Sequence, residues 1–305
     1  MKKRHDEIAS IKRAESYSKI WFSQALELLG RSDAKFKSVI DIGAGKGEFL
    51  EILNKNYQAL QLYAIDYTDT NLAVLESKGI NTIKLDLDNF ELKELKHLKG
   101  KFDLVVCLAV IEHIFDLDRL FIFFNRILKN DGHLLITTPN MASFPARLFY
   151  SLKGYPYGEG HHVRFLTKRR LEQYAYFTGF NIVMFNNYFV LHAGIIKRGF
   201  GVRNKYLVNA LTNIIFRPFW VLAKLGILTS LSNTDIVFLA RKNNLPPLGL
   251  ELYDLQTNFE NLAERDQKMW RDKIKEYLKR DKMKEHIYLK EYLVSLMSGN
   301  QDEGK

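Results

Sequence analysis

The chain has 305 residues, 47% of them hydrophobic, and a formal net charge of +10. That is ample apolar content for a large core and more length than one simple α/β domain needs, so one catalytic domain with additions is expected. The one cysteine, Cys107, excludes an internal disulfide, suits a reducing compartment and reads as core packing inside an apolar strand. The charged N-terminus MKKRHDEIAS has no apolar run behind it. No signal peptide is therefore expected, and the predicted location is the cytoplasm.

In chain order, residues 6–30 read as an amphipathic helix, with Ile8, Ile11, Tyr17, Ile20, Trp21, Ala25 and Leu28 at helical spacing and Gly30 as a stop. The stretch 39–50, VIDIGAGKGEFL, follows and organises the rest. A strand rich in Val and Ile breaks into Gly43, Gly45 and Gly47 and resumes as a helix, which is the pattern of a loop whose backbone a ligand touches. A second apolar strand, 60–65, ends in Asp66, 23 residues after Gly43. That is near the roughly 20-residue spacing at which a βαβ unit places a carboxylate on a ribose diol. The spacing speaks against a dinucleotide: the third glycine comes one position early, and Asp41 stands just ahead of the loop. A carboxylate there repels pyrophosphate and suits a sulfonium or an α-amino group.

Strands are predicted near 38–43, 60–65, 80–85, 101–107 and 132–138, with helices near 47–55, 69–78, 91–98 and 117–129. Short apolar strands alternating with helices indicate a parallel sheet covered on both faces. The glycine loop, Asp66, Asp86 and the segment 108–113 all fall at the carboxyl ends of strands, where such sheets bind ligands.

These segments, the loop D-x-G-x-G-x-G, Asp66, KLDLDNF at 84–90, FDLVVCLAVIEHI at 102–114 and LKNDGHLLITTPN at 128–140, resemble class I S-adenosylmethionine-dependent methyltransferases over most of 38–241. The resemblance implies a Rossmann-like α/β fold: a seven-stranded sheet with helices on both faces and the last strand antiparallel. A helical insertion and a C-terminal helical extension are added to it. It divides the chain into an N-terminal helix over the cleft (1–37), the methyltransferase domain (38–242), and a linker with the C-terminal extension (243–305). Plain packing of the first helix on the sheet is the competing expectation. The cofactor implied is S-adenosylmethionine. Asp41, Gly43, Gly45 and Gly47 would face its methionine part, Asp66 the ribose, Asp86 with Leu87 the adenine, and Tyr67 and Leu108 would flank the adenosine. Asp88 competes with Asp86, and Asp103 reads as structural.

After Asn140 the alternation stops for about 25 residues, and two substrate-side insertions are expected at 140–166 and 190–233. Between them come a helix capped by Thr167 and ended by Gly179, then a strand near 180–188; a strand near 235–240 closes the domain. From 140 to 232 there are 12 Lys+Arg against 2 Asp+Glu, whereas 250–305 carries 11 against 12. The second insertion holds the apolar run 206–231, interrupted by Arg217, Pro218 and Lys224. Those breaks argue against a spanning helix, and Pro218 is expected to divide it into two short ones. A helical subdomain, or peripheral membrane contact through 200–232 at the inner face of a membrane, would account for it. Residues 250–297 read as charged helices with a slipping register, a candidate for a protein partner or self-association. No internal repeat or zinc-ligand spacing is found, no metal is assigned, and no nucleic-acid partner is expected.

The catalytic candidates are Glu112 and His113 after the fourth strand, and His161 and His162 in EGHHVRFLT. Imidazole suits a base near neutral pH. An E-H pair at this position is associated with metal and substrate handling in the quinone O-methyltransferases that this segment resembles. The H-x-R-F-[LF]-T pattern resembles enzymes of glycan and cell-surface assembly as well as quinone enzymes. The expected acceptor is thus a sugar, lipid-linked or quinone-like oxygen. A small-metabolite or N-methyltransferase, or a non-catalytic partner protein on the same fold, are the alternatives.

Overall fold

The computed structural model describes residues 20–92, 94–156, 162–188, 196–197, 200–225 and 227–243, together with Lys268, Asp272 and Lys275. The chain forms two compact units, Met1–Pro247 and Leu248–Lys305. In the second, the three described residues are helical, and Lys275 pairs with Asp272 at 3.6 Å. Residues 1–19 and the rest of the 250–297 segment lie outside the described residues.

The first unit is built on one seven-stranded sheet. Its strands are β1 (Ser38–Ile42), β2 (Gln61–Asp66), β3 (Asn81–Lys84), β4 (Phe102–Leu108), β5 (Leu128–Pro139), β6 (Phe180–Tyr188) and β7 (Asp235–Lys242). They lie in the order β3-β2-β1-β4-β5-β7-β6, parallel from β3 to β5, with β7 antiparallel to both its neighbours. The order runs outward from β1 in both directions, so the switch point lies between β1 and β4, where ligands bind.

Side chains alternate between two cores, as the pleat requires, except at the register shifts Phe102/Leu104 and Ile182/Met184. Ile40, Val105, Leu134, Ile136 and Phe238 face one side, where α4 (Leu117–Ile127) and α6 (Lys168–Phe177) cover them. Val39, Leu104, Val106, Leu135, Val237 and Leu239 face the other, under α2 (Glu48–Asn56), α3 (Asp69–Ser77) and α1 at 20–31. The described part of the first helix thus packs Ala25, Leu28 and Leu29 on the sheet. Its first turn is pinned at the site edge, where the Trp21 indole donates to Asp235 Oδ1 at 3.2 Å. Asp103 is structural, as read: it accepts from the Lys37 and Ser38 amides and the Ser38 hydroxyl, and pairs with Lys129. Burial alone would raise its carboxyl, but these partners outweigh it and hold it at about 2.

Four local expectations need correction. Residues 91–98 hold a 3₁₀ turn, Lys96–Leu98, and no α-helix among the described residues. Leu92, Leu95 and Leu98 recur every third position, the period of a 3₁₀ turn. β5 starts at Leu128, four residues early, because Leu128 pairs with Phe102 before a register shift. The irregular stretch after Asn140 contains a helix, α5 (Phe144–Lys153), capped by the Ser143 hydroxyl and closed by left-handed Gly154. Pro218 does not divide the second insertion: Lys205–Lys224 is one continuous helix. The carbonyl that loses its donor there belongs to Ile214, which lies on the exposed face of the helix and is open to solvent on that side.

Candidate functional site

β1 ends in the glycine loop, and all three glycines have positive φ. At Gly43 a Cβ would stand 2.6 Å from Val110 Cγ2, so the loop is packed tightly against the segment after β4. At Gly45, with φ of +54°, a Cβ would meet nothing within 4 Å. That position opens to free space, as a backbone surface for a ligand must. Its N–H donates to Asp66 Oδ2 at 3.0 Å. Asp66 Oδ1 accepts from the Thr68 amide at 2.9 Å, and Asn71 Nδ2 reaches both oxygens at 3.3 Å. Asp66 is therefore the brace of the loop as well as the acid after β2, a role the sequence reading did not assign. Asp41, on β1 below the loop, is buried. Burial, and then the Asp66 charge, push its carboxyl up to about 8. A cation arriving beside this acid would favour its ionised form, and the proton would leave to solvent.

Beyond β3, Asp86 is exposed and Leu87 half-buried. Asp86 Oδ1 accepts from the Asp88 amide, while Asp88 Oδ1 accepts from the Phe115 amide at 2.8 Å. Asp88 is thus spent on joining this loop to the one after β4, and Asp86 is the carboxylate that faces outward. Tyr67 is exposed and Leu108 half-buried at the end of β4. The next residue, Ala109, has φ of 54° and is held there by Thr137, whose carbonyl and hydroxyl both accept its N–H at 3.0 Å. This left-handed step turns the chain into the 3₁₀ turn Ile111–His113.

The turn buries Glu112 to 2% exposure and leaves His113 exposed. Glu112 Oε2 accepts from the Thr138 hydroxyl at 3.1 Å. Burial raises its carboxyl to about 7, with the hydrogen bonds opposing and Asp235 adding to the rise. The Glu112 carbonyl accepts the N–H groups of Val163 and Arg164 at 2.9 and 3.0 Å. Those two bonds lay the 162–164 segment across the turn, and His162 comes to rest with its ring 5.0 Å from that of His113, edge to face. Glu112, His113 and His162 then offer ligand atoms all within 4.8 Å of one another. A carboxylate and two imidazoles at that separation can share a proton or hold a divalent ion. No spacing in the sequence announces the set, because 49 residues separate the two histidines. His161, the fourth candidate, lies outside the described residues.

A polar layer continues from this cluster along the ends of β5 and β7. Asn140 donates its amide to the Asn233 carbonyl, Thr234 bonds Asp235, and Asn186 bonds Gln24 of α1. Together with Lys168 and Phe185, Asn140, Asn186, Asn233 and Asp235 line a small cleft with room for little more than one water molecule. Thr138, Asn140 and this cleft were not anticipated. The run TTPN at 137–140 after the apolar 134–136, and SNTD at 232–235 ahead of the apolar β7, are the signal that would have found them.

A family profile described as "Methyltransferase domain" matches residues 13–184. The chain is similar to the ubiquinone biosynthesis O-methyltransferase of Dechloromonas aromatica, 27% identical over an alignment of 163 positions that covers 51% of this chain and 66% of that one. It spans smaller shares of other curated relatives, such as 45% of the ubiquinone biosynthesis O-methyltransferase of Rickettsia bellii. Among solved structures, it resembles a complex of the Haloferax volcanii Trm112 methyltransferase activator with a methyltransferase, at a TM-score of 0.52 and 11% identity, covering 78% of this chain and 97% of that one. An S-adenosylmethionine-dependent methyltransferase from Thermotoga maritima matches at a TM-score of 0.50 and 16% identity, covering 77% and 96%.

Proposed function

This chain belongs to the class I S-adenosylmethionine-dependent methyltransferase family, and from that premise we propose that it methylates an oxygen of a glycan, lipid-linked or quinone-like acceptor. The observation that carries the choice of oxygen is the buried Glu112 with His113 and His162 beside it, at the carboxyl end of β4. A hydroxyl must lose its proton as it attacks, so an O-methyltransferase profits from a base that an activated nucleophile would not need. The 27% identity to a protein named as an O-methyltransferase supports the same choice.

S-Adenosylmethionine supplies a methyl group already activated on a sulfonium. The loop from Gly43 to Gly47 offers backbone against the methionine part. Asp41 balances positive charge there, and Asp66 accepts from the ribose while it braces the loop. Asp86 and Leu87 bound the adenine edge, with Tyr67 and Leu108 beside it. The open face over Gly45 and the buried pair Asp41 and Asp66 fit a cationic adenosyl ligand. His162 takes the hydroxyl proton, and Glu112, held by Thr138, keeps the imidazoles oriented and shares the charge that develops.

The test is transfer of labelled methyl to a panel of quinol, sugar and lipid-linked acceptors, with the linkage of the product determined. O-linked product is expected. His162→Ala and Glu112→Gln should lower the rate constant by about 10²- to 10⁴-fold with S-adenosylmethionine affinity unchanged. Label on nitrogen overturns the oxygen reading. Transfer that collapses with a chelator and returns with a divalent ion gives the cluster to a metal instead of a proton.

A further inference from the structure

We infer that the helix Lys205–Lys224 and the loop after it form a docking face for the surface of an anionic lipid bilayer. The helix buries Val208, Thr212, Phe216 and Ala223; the three apolar ones cluster with Phe149 of α5 and Ile196, and Phe219 stacks on Phe144 with ring centroids 4.0 Å apart. Leu207, Ile214 and Val221 lie on the opposite face, seven residues apart and therefore in one line. Ile214 is 71% exposed, and Leu225 and Leu228 continue the apolar surface at 65% and 60%. A soluble surface seldom leaves a row of large aliphatic side chains in water.

Charge complementarity selects the occupant. From 189 to 234 the sequence has six basic residues, Lys197, Arg198, Arg203, Lys205, Arg217 and Lys224, and no Asp or Glu. Arg217 and Lys224, themselves seven apart and exposed, run along one flank of the apolar row. A second copy seated on this face by a two-fold axis would set these cations against each other with no acid in the segment to pair them. Anionic headgroups supply the missing charge while the aliphatic row enters the acyl boundary.

The helix has the length and composition to cross a bilayer. Crossing would carry α5 and the polar end of the sheet into hydrocarbon, because the helix shares a buried cluster with Phe149 of α5 and the chain re-enters the sheet at Asp235. Lying flat requires neither. α5 begins five residues after β5 ends, at the substrate side of the site. Docking therefore favours a lipid-linked acceptor among those proposed, a consequence that rests on the proposed reaction, whereas docking itself does not.

The experiment is co-sedimentation of the full chain with phosphatidylcholine vesicles, with and without one quarter phosphatidylglycerol. S-Adenosylmethionine binding and methyl transfer are measured in parallel. Association is expected to be about tenfold or more tighter with the anionic lipid and to weaken with salt. Ile214→Glu with Leu225→Glu should abolish it on both vesicles. Arg217→Glu with Lys224→Glu should remove only the anionic preference. Unchanged melting and cofactor affinity in both variants show that they are folded. Wild-type protein that stays in the supernatant overturns the inference, as does an apolar pair whose replacement changes nothing. A dimer in sedimentation velocity that Ile214→Glu disperses gives the face to a second copy. Failed docking with intact transfer sinks this inference alone, and failed transfer with intact docking sinks the proposed reaction alone.

Discussion

Binding of S-adenosylmethionine should expel a proton from Asp41. In the free protein, burial and the neighbouring Asp66 push this carboxyl up to about 8. At pH 7 about nine molecules in ten therefore carry it neutral. A cation seated beside it favours the ionised form, so at pH 7 binding should release up to about 0.9 proton, and ionising the acid first costs about 1.4 kcal/mol there. The sign is fixed by linkage: affinity rises as pH rises, close to tenfold per unit below about 8, and levels off above it. Calorimetry in two buffers of different ionisation enthalpy reads the released proton directly. Asp41→Asn should abolish both the release and the pH dependence. S-Adenosylhomocysteine tells which cation Asp41 meets, because it keeps the amino group and lacks the sulfonium. Equal heats in the two buffers, with an affinity flat across this range, would refute the assignment. The free protein adds an independent check. A folded pKa raised above the unfolded value means stability present at low pH and lost as pH rises towards 8, so Asp41→Asn should raise the melting temperature in alkaline buffer.

Asp66→Asn should lower S-adenosylmethionine affinity by about 10- to 100-fold, since the amide leaves Gly45 or Thr68 without its charged acceptor. An affinity within twofold of wild type, read by titration, would remove both the ribose and the loop-bracing role. Asp103→Asn should destabilise the fold by about 1–3 kcal/mol without touching cofactor affinity, because its partners tie β1 to β4 at the edge away from the site. Its carboxyl is held at about 2. That contribution is therefore present above the ordinary Asp range and is lost as pH falls through 2, where variant and wild type should melt alike.

The strands and the glycine loop were legible because their information is local: an apolar run, a break, an acid at a fixed distance. What escaped reading depends on where backbone groups point. Asp66 braces the loop through an N–H of Gly45, which carries no side chain to signal it. His162 reaches His113 because two amides, at Val163 and Arg164, find the carbonyl of Glu112. α5 carries end signals in Ser143, Pro145 and Gly154, but the aromatics, glycines and two prolines of the whole stretch after Asn140 together read as a loop. Pro218 is tolerated where the residue whose carbonyl it orphans, Ile214, lies on the exposed face, and which face is exposed is decided by the packing of the opposite one.

The placement of β7 bears on how the molecule is made. The last strand of the sheet lies in its interior, between β5 and β6, so two neighbours wait for a segment that the ribosome delivers after them. Until residue 242 has emerged, β5 presents an open edge carrying Leu134, Leu135 and Ile136, and β6 has nothing to pair with. Long-range pairing of this kind is slow and prone to aggregation. The 46 residues between β6 and β7 lengthen that interval. Production of the enzyme should therefore depend on chaperone supply and on translation speed across the insertion, even though the finished sheet buries every one of those edges.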